Sequence, residues 1–261
     1  SHQKILNTDI CNNFLSMSTV SFDMFMVETM VPLLSGKTVV LTTEEEQKIP
    51  LYTSKLMVKN NVDFILTTPS RIELFLSNKL YECLEKLKII QLGGEVFTLE
   101  LKDRLQECTK ANLYNGYGPT EITACCAMKK VEDYVSLGKP LCNTQIYILN
   151  EENNICPINI PGEICIAGDG ISLGYINNEE LTKKTFIQNP FGSGYMYKTG
   201  DIGRINSSGE LKYIDRKDSQ IKIRGLRVEL SEIEKQILNA INLNACTVIY
   251  KKDKGYISAF I

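Results

Sequence analysis

The heptapeptide N-G-Y-G-P-T-E, Asn115 to Glu121, packs several chemically useful features into seven residues. Gly116 and Gly118 allow a tight turn and close backbone approach to a ligand, and Pro119 stiffens that turn. Thr120 offers a hydroxyl, and the Glu121 carboxylate is a hard oxygen donor suited to Mg²⁺. An ordinary strand-to-helix turn also uses Gly and Pro, but without this ordered set. In Y-K-T-G-D, Tyr197 to Asp201, a carboxylate follows a glycine turn. Its two oxygens there suit the two hydroxyls of a ribose, the role acidic residues play in dinucleotide folds; the plain alternative is a T-G-D β-turn. A third string, D-R-K-D-S-Q-I-K-I-R-G-L-R-V-E-L-S-E-I-E over 215–234, runs from a charged turn through a strand and Gly225 into an amphipathic helix. Gly225 beside Arg224 suits close approach to a ligand or an unusual φ, whereas charge alone makes the string a solvated face.

Positioning these groups requires a scaffold, and from residue 21 to about 116 helical apolar spacing alternates with short β-rich runs. Ser21 and Asp23 suit the cap of a helix whose apolar face includes Met26, Met30 and Leu33, ended by Ser35-Gly36 before a strand over 37–41. Pro50 suits the start of a helix to Lys59, 62–67 is a predicted strand, and Pro69 opens another helix. A strand over 88–92, a Gly93-Gly94 turn and a helix over 98–108 repeat the pattern. Such alternation predicts an α/β fold with an open, mostly parallel sheet and helices on its faces. The N-G-Y-G-P-T-E string then lies outside the C-terminal end of a strand, where open α/β sheets bind ligands.

After about residue 134, short alternating strands (145–149, 163–167, 211–214) predict a β-rich, barrel-like subdomain. From 218 a small α+β C-terminal domain begins, with a strand over 220–224, a helix over 231–240 and strands over 246–250 and 255–261. The expected domains are 1–135, 136–217 and 218–261. The last strand ends on A-F-I without a cap or polar tail, so the chain reads as a truncated fragment.

Composition narrows the chemistry. The chain has 261 residues, 43% hydrophobic and 23% charged, which fits a folded soluble protein. With 29 basic against 31 acidic side chains it has no basic excess for a nucleic-acid backbone. Its one histidine, His2, argues against a Ser-His-Asp triad, a Cys-His dyad or a multi-histidine zinc site. That leaves carboxylates, lysine, backbone dipoles or a hard metal. The nine cysteines are odd in number and form no C-x-x-C, which favours free thiols in a reducing cytoplasm. Neither a membrane span nor a signal peptide is supported, so a cytoplasmic location is expected.

Taken in order, S-F-D (21–23), G-G-E (93–95), N-G-Y-G-P-T-E, G-E-I-C-I-A-G-D-G-I-S-L-G-Y (162–175), Y-K-T-G-D and the 216–234 string resemble the adenylate-forming enzymes. The resemblance is specifically to amino-acid adenylation domains of nonribosomal peptide synthetases and to D-alanine carrier-protein ligases. It implies that G-D-G-I-S-L-G (168–174) is structural rather than a dinucleotide loop. It also implies a two-step ligase: ATP and an amino acid give an aminoacyl-AMP and pyrophosphate, and the phosphopantetheine thiol of a peptidyl or acyl carrier protein then takes the acyl group. The implied cofactors are ATP/AMP and Mg²⁺. By motif position, Tyr117 beside Gly118 would stack on adenine, Thr120 contact phosphate and Glu121 bind Mg²⁺. Asp201 would hold the ribose hydroxyls, with Tyr213 and Arg216 near the nucleotide. Asp218 matches the hinge of the small domain and Gly225 the loop used for thioester formation. Asp215 stands where the family usually has Gly, which leaves the aim of Arg216 open.

The same resemblance implies a substrate pocket. Asp23 would pair with the substrate ammonium, unless it is simply a helix cap. Met24, Val27, Leu66, Ile90, Leu92, Gly116, Ala124 and Cys125 would form an uncharged, mostly aliphatic lining that on its own would read as core. Met24 and Leu92 would shorten it, so a small or medium aliphatic amino acid is expected. The family's Ser/Thr/Gly-rich phosphate loop and catalytic lysine are expected upstream of residue 1 and downstream of Ile261. The isolated chain is therefore expected to turn over slowly or not at all. A degenerate module binding nucleotide or a partner, and an acyl-CoA or aryl-acid ligase on the same fold, are the alternatives. Asp23 discriminates against the latter, whose substrates have no ammonium.

Overall fold

The computed structural model describes residues 5–223, 226–241, 245–251 and 256–261; His2, Arg224 and Gly225 lie outside the described residues. Strands β1 (Asn13–Ser16), β2 (Thr38–Leu41), β3 (Phe64–Thr67), β4 (Ile89–Gly93), β5 (Asn112–Tyr117), β6 (Ala127–Lys130) and β7 (Lys139–Pro140) form one sheet in the order β2-β1-β3-β4-β5-β6-β7. The pairs among β1 to β5 are parallel, and β6 and β7 add antiparallel strands at one edge. The first sheet thus continues to Pro140.

Helices α1 (Met24–Leu34), α2 (Glu44–Lys48), α3 (Pro50–Lys59), α4 (Pro69–Ser77), α5 (Tyr81–Glu85) and α6 (Leu99–Cys108) connect these strands. Local chemistry fixes where several begin. The Thr68 and Thr98 hydroxyls accept from the backbone N–H groups of Arg71 and Leu101, and Pro69 needs no N–H partner at the first turn of α4. Both faces of β3 and β4 are buried. One packs Ile65, Ile90 and Leu92 against Ile72, Phe75, Leu101 and Leu105. The other packs Phe64, Leu66 and Ile89 with Phe14 and Tyr114, the Phe14 and Phe64 rings stacking at 4.4 Å between centroids.

Helix α1 corrects the sequence expectation. Met26, Met30 and Leu33 are exposed at 56%, 44% and 56%, while Glu28 is wholly buried. Four hydrogen bonds make that burial tolerable: the Ser16 hydroxyl and the Met17 and Ser18 N–H groups donate to Oε2, and the Ser18 hydroxyl donates to Oε1. Burial pushes the Glu28 pKa upward, opposed by these bonds. Asp23, expected as a possible cap, makes no side-chain cap bond to α1.

The β-rich subdomain is an antiparallel sheet of β8 (Thr144–Leu149), β9 (Gly162–Gly168), β10 (Phe186–Gln188) and β11 (Tyr195–Ile205) in the order β10-β11-β9-β8, with β12 (Leu211–Arg216) pairing β11. Helix α7 (Glu179–Thr185) precedes β10. Tyr117, Ile122, Cys126 and Ala127 pack into this sheet's core with Ile146, Ile164, Ile166 and Tyr197, so the conspicuous heptapeptide forms the seam between the two sheets. The 168–174 segment braces that seam: the Ser172 N–H donates to the Glu121 carbonyl and the Thr123 hydroxyl to the Gly170 carbonyl. Beyond it, β13 (Gln220–Ile223) and β14 (Leu226–Glu229) pair as an antiparallel hairpin where a single strand was expected. Helix α8 (Leu230–Ile241) and the antiparallel pair β15 (Thr247–Lys251) and β16 (Tyr256–Phe260) complete the described residues.

Candidate active site

A cleft of about 340 Å³ opens at the C-terminal ends of β3, β4 and β5. The start of α1, the loop after β5 and residues of β11, β12 and the β13–β14 hairpin close over it, so all three distinctive strings converge on one cavity.

On one wall, Gly200 adopts φ +72° inside β11, where the pairing with β9 is irregular between Lys198 and Ile202. The expected glycine turn is thus a bulge within a continuous strand. It sets Asp201, 7% exposed, against two donors: the Tyr117 hydroxyl at 2.6 Å on Oδ2 and Arg216 Nη1 at 2.8 Å on Oδ1. Arg216 also grips both oxygens of Asp218, each at 2.7 Å. A Cβ at position 200 would lie 2.9 Å from Arg216 Nη2 and 3.0 Å from Asp218 Oδ2, so glycine leaves room for the clamp. Asp215 does not misdirect Arg216, because β12 pairs Asp215 with Ile202 and Arg216 with Asp201. Burial raises the Asp218 pKa, but the paired bonds and charge of Arg216 outweigh it and hold the carboxyl below its usual range.

Tyr117 is buried, and its ring belongs to the core beneath the cleft rather than to the cleft lining. Tyr213, opposite Gly203, also lies outside the lining; burial and the charge of Asp201 push its hydroxyl up to about 12.

On the opposite wall, Thr120 and Glu121 enter a short 3₁₀ turn. Thr123 and Ala124 then take left-handed φ values of 59° and 68°, folding the chain back over Gly118, where a Cβ would lie 2.5 Å from the Ala124 carbonyl oxygen. The Thr120 hydroxyl donates to Asp23 Oδ2 at 2.5 Å, which ties the first string to the start of α1. Glu121 is 6% exposed, and its Oε1 accepts from the Tyr175 hydroxyl and from Arg227 Nη1, each at 2.7 Å. Its Oε2 is buried with no hydrogen-bond partner among the described residues. An orphaned carboxylate oxygen of this kind fits a hard divalent cation completed by phosphate and water oxygens. Burial raises the Glu121 pKa, but the Tyr175 hydrogen bond and the Arg227 charge bring it below the ordinary value.

The expected substrate pocket needs a correction on β4. Met24, Val27, Leu66, Gly116, Ala124 and Cys125 line the cleft, but Ile90 and Leu92, both 0% exposed, pack into the core on the other face of the sheet. Alternation along the strand presents Gln91 and Gly93 instead. Gln91 is the in-register neighbour of Leu66, and Gly93 that of Gly116. The lining is therefore not wholly aliphatic. Sequence reasoning also passes over Tyr175 and Arg227, although the G-L-R spacing of the third string marks Arg227 as one residue beyond a predicted loop.

Three comparisons with known proteins bear on this arrangement. The family profile described as AMP-binding enzyme matches residues 1–176. Gramicidin S synthase 2 of Aneurinibacillus migulanus is 36% identical over 240 residues, covering 90% of this chain and 5% of that protein. Tyrocidine synthase 3 of Brevibacillus parabrevis is 35% identical over 253 residues, covering 94% and 4%. Among solved structures, PA1221, an NRPS protein containing adenylation and PCP domains bound to a vinylsulfonamide inhibitor, superposes with a TM-score of 0.86 at 27% identity, covering 95% of this chain and 45% of that one. The chain thus spans a small fraction of these synthases and under half of that solved chain.

Proposed function

Because the chain belongs to the AMP-binding enzyme family, we propose that its cleft activates an amino acid with ATP and hands the acyl group to a carrier protein. In the first half-reaction a substrate carboxylate oxygen attacks the α-phosphorus of ATP, the bond to pyrophosphate breaks, and an aminoacyl-AMP forms. In the second, the phosphopantetheine thiol attacks the acyl carbonyl and AMP leaves. Similarity to an NRPS protein containing adenylation and PCP domains supports the second step.

The geometry supports a role for each of these residues. Asp23, whose Oδ2 accepts the Thr120 hydroxyl, takes the substrate ammonium, and this releases Thr120 toward phosphate. Asp201 keeps spare lone pairs on both oxygens beside its bonds to Tyr117 and Arg216, and these accept the ribose hydroxyls. Tyr117 fixes that carboxylate through its hydroxyl, and adenine stacks against its ring only once a face of the ring is uncovered. Arg216 and Arg227 place positive charge in the cleft lining, where it favours the phosphates. Glu121 would hold Mg²⁺ through Oε2, where the cation supplies charge to the phosphates. Asp218 serves as the hinge, restrained here by Arg216. Gly225 is proposed for thioester formation and falls outside the described residues.

Neither the Ser/Thr/Gly-rich phosphate loop nor the lysine motif of the family occurs in these 261 residues, so turnover by this chain alone is proposed to be slow. The nine unpaired thiols suit a reducing cytoplasm. The observation that carries the reading is the convergence of Asp23, Thr120 and Asp201 on one cleft from three separate stretches of the chain. Calorimetric titration with AMP tests it: Asp201→Ala should weaken binding by about tenfold or more, equivalent to about 1.4 kcal/mol, and unchanged affinity would remove Asp201 from the nucleotide site.

A further inference from the structure

The Glu121 carboxylate is claimed from two directions. Its Oε1 accepts from the Tyr175 hydroxyl and from Arg227 Nη1, while Oε2 is buried with no hydrogen-bond partner among the described residues. Tyr175 follows β9 and belongs to the subdomain that shares the Glu121 seam. Arg227 lies 106 residues further along the chain and comes to Glu121 on the β13–β14 hairpin.

Arg227 lines the cleft, whereas Glu121, with its side chain 7% exposed, does not. The guanidinium therefore stands between the cleft and the carboxylate. A hard divalent cation on Oε2 must complete its shell with phosphate and water oxygens, and these approach from the cleft, the side that Arg227 covers. A guanidinium and a divalent cation on one carboxylate also repel each other, strongly so in a site shielded from water.

The two partners of the pair differ in what they can fall back on. Glu229, two residues along β14, sets Oε1 4.0 Å from Arg227 Nε. Gln220 Nε2 donates to that same oxygen across the hairpin and holds it in place. Arg227 thus keeps a countercharge after leaving Glu121. Glu121 without Arg227 keeps the Tyr175 hydroxyl but no cation, which is costly for a buried carboxylate.

We infer that Arg227 is a positioning residue that takes the place of the divalent cation on Glu121, so that hairpin docking and metal occupancy exclude each other. This inference rests on the reading of Glu121 as the metal ligand. Glu121 faces a cation in both states: the metal while a polyphosphate fills the cleft, and Arg227 once pyrophosphate has carried the phosphate oxygens away. The exchange is non-covalent, and it lets the hairpin close only on a cleft that has released its metal.

The test uses Mn²⁺ as the probe, with the chain saturated in α,β-methylene-ATP. Free Mn²⁺ is counted by electron paramagnetic resonance, and the hairpin is followed by amide exchange across 220–229. Mn²⁺ should bind Arg227→Gln about tenfold tighter than wild type, and by linkage should speed wild-type hairpin exchange by a similar factor. The nucleotide alone should not speed it, and Arg227→Gln, already released, should not respond to Mn²⁺. Glu121→Gln should lose the Mn²⁺ site. Circular dichroism melts show that each variant is folded, and the wild-type exchange measurement needs no variant. If Glu121→Gln loses Mn²⁺ but Arg227→Gln binds it no tighter than wild type and Mn²⁺ leaves wild-type hairpin exchange unchanged, the inference is overturned and the metal reading stands. If Mn²⁺ binds all three proteins alike, Glu121 is not a metal ligand, and the inference falls with that reading.

Discussion

Arg216 Nη1 lies 2.8 Å from Asp201 Oδ1 while the rest of the same guanidinium holds Asp218 through two 2.7 Å bonds. The proposed ribose acceptor and the proposed hinge are thus joined through one cation, which is 13% exposed at its side chain. A rotation of the chain about residue 218 would strain the Arg216 clamp that also holds Asp201.

Arg216→Lys should loosen both ends, because an ammonium cannot match the planar fork that spans two carboxylates. AMP affinity should fall by about tenfold, and amide exchange at 217–220 should rise. Unchanged exchange with unchanged affinity would show that the clamp contributes to neither.

The Glu121–Arg227 pair should be visible in acid. The folded-state carboxyl titrates below its ordinary 4.5, so its stabilisation is complete above that pH and disappears as pH falls through the lower folded value. Melting temperatures measured from about pH 6 to pH 3 should therefore fall more steeply for wild type than for Glu121→Gln. Parallel curves would contradict the pairing.

Arg227 ties the β13–β14 hairpin to Glu121, with a side chain 40% exposed against 7% for its partner. Removing it should leave a buried carboxylate unpaired and free the hairpin. Amide exchange across 220–229 in Arg227→Ala should accelerate by about tenfold, and wild-type protection there would place the docking elsewhere.

Glu28→Ala should be costly despite removing a charge from the interior, because four donors lose their acceptor at once. A loss of about 2–4 kcal/mol is expected in denaturant melts. A neutral outcome would mean that water satisfies the Ser16–Ser18 segment.

Much of the scaffold is legible in the sequence because its signals are local. Pro50, Pro69 and Thr98 mark helix starts that the structure reproduces to within a residue or two. The failures have a common cause in burial on two sides. Every residue of β3 and β4 is buried, so I-I-Q-L-G carries no alternation to say which face Gln91 or Leu92 takes, and only the pairing with β3 and β5 decides it. On α1 residue type alone turns the apolar face inward, whereas a satisfied Glu28 fixes the opposite orientation, and no single-helix pattern encodes donors at Ser16 and Ser18. Asp23 and Thr120 are legible as separate residues, but their contact depends on a turn with two left-handed residues that propensity does not predict.

The most direct test of the account is amino-acid-dependent ATP–pyrophosphate exchange by the longest natural chain that carries this sequence, compared with the same chain bearing Asp23→Ala. The account predicts exchange that requires an α-amino acid and falls by at least about a hundredfold, or about 2.7 kcal/mol, when the Asp23 carboxylate is removed. Exchange supported equally by carboxylic acids lacking the amino group, and indifferent to Asp23, would contradict it.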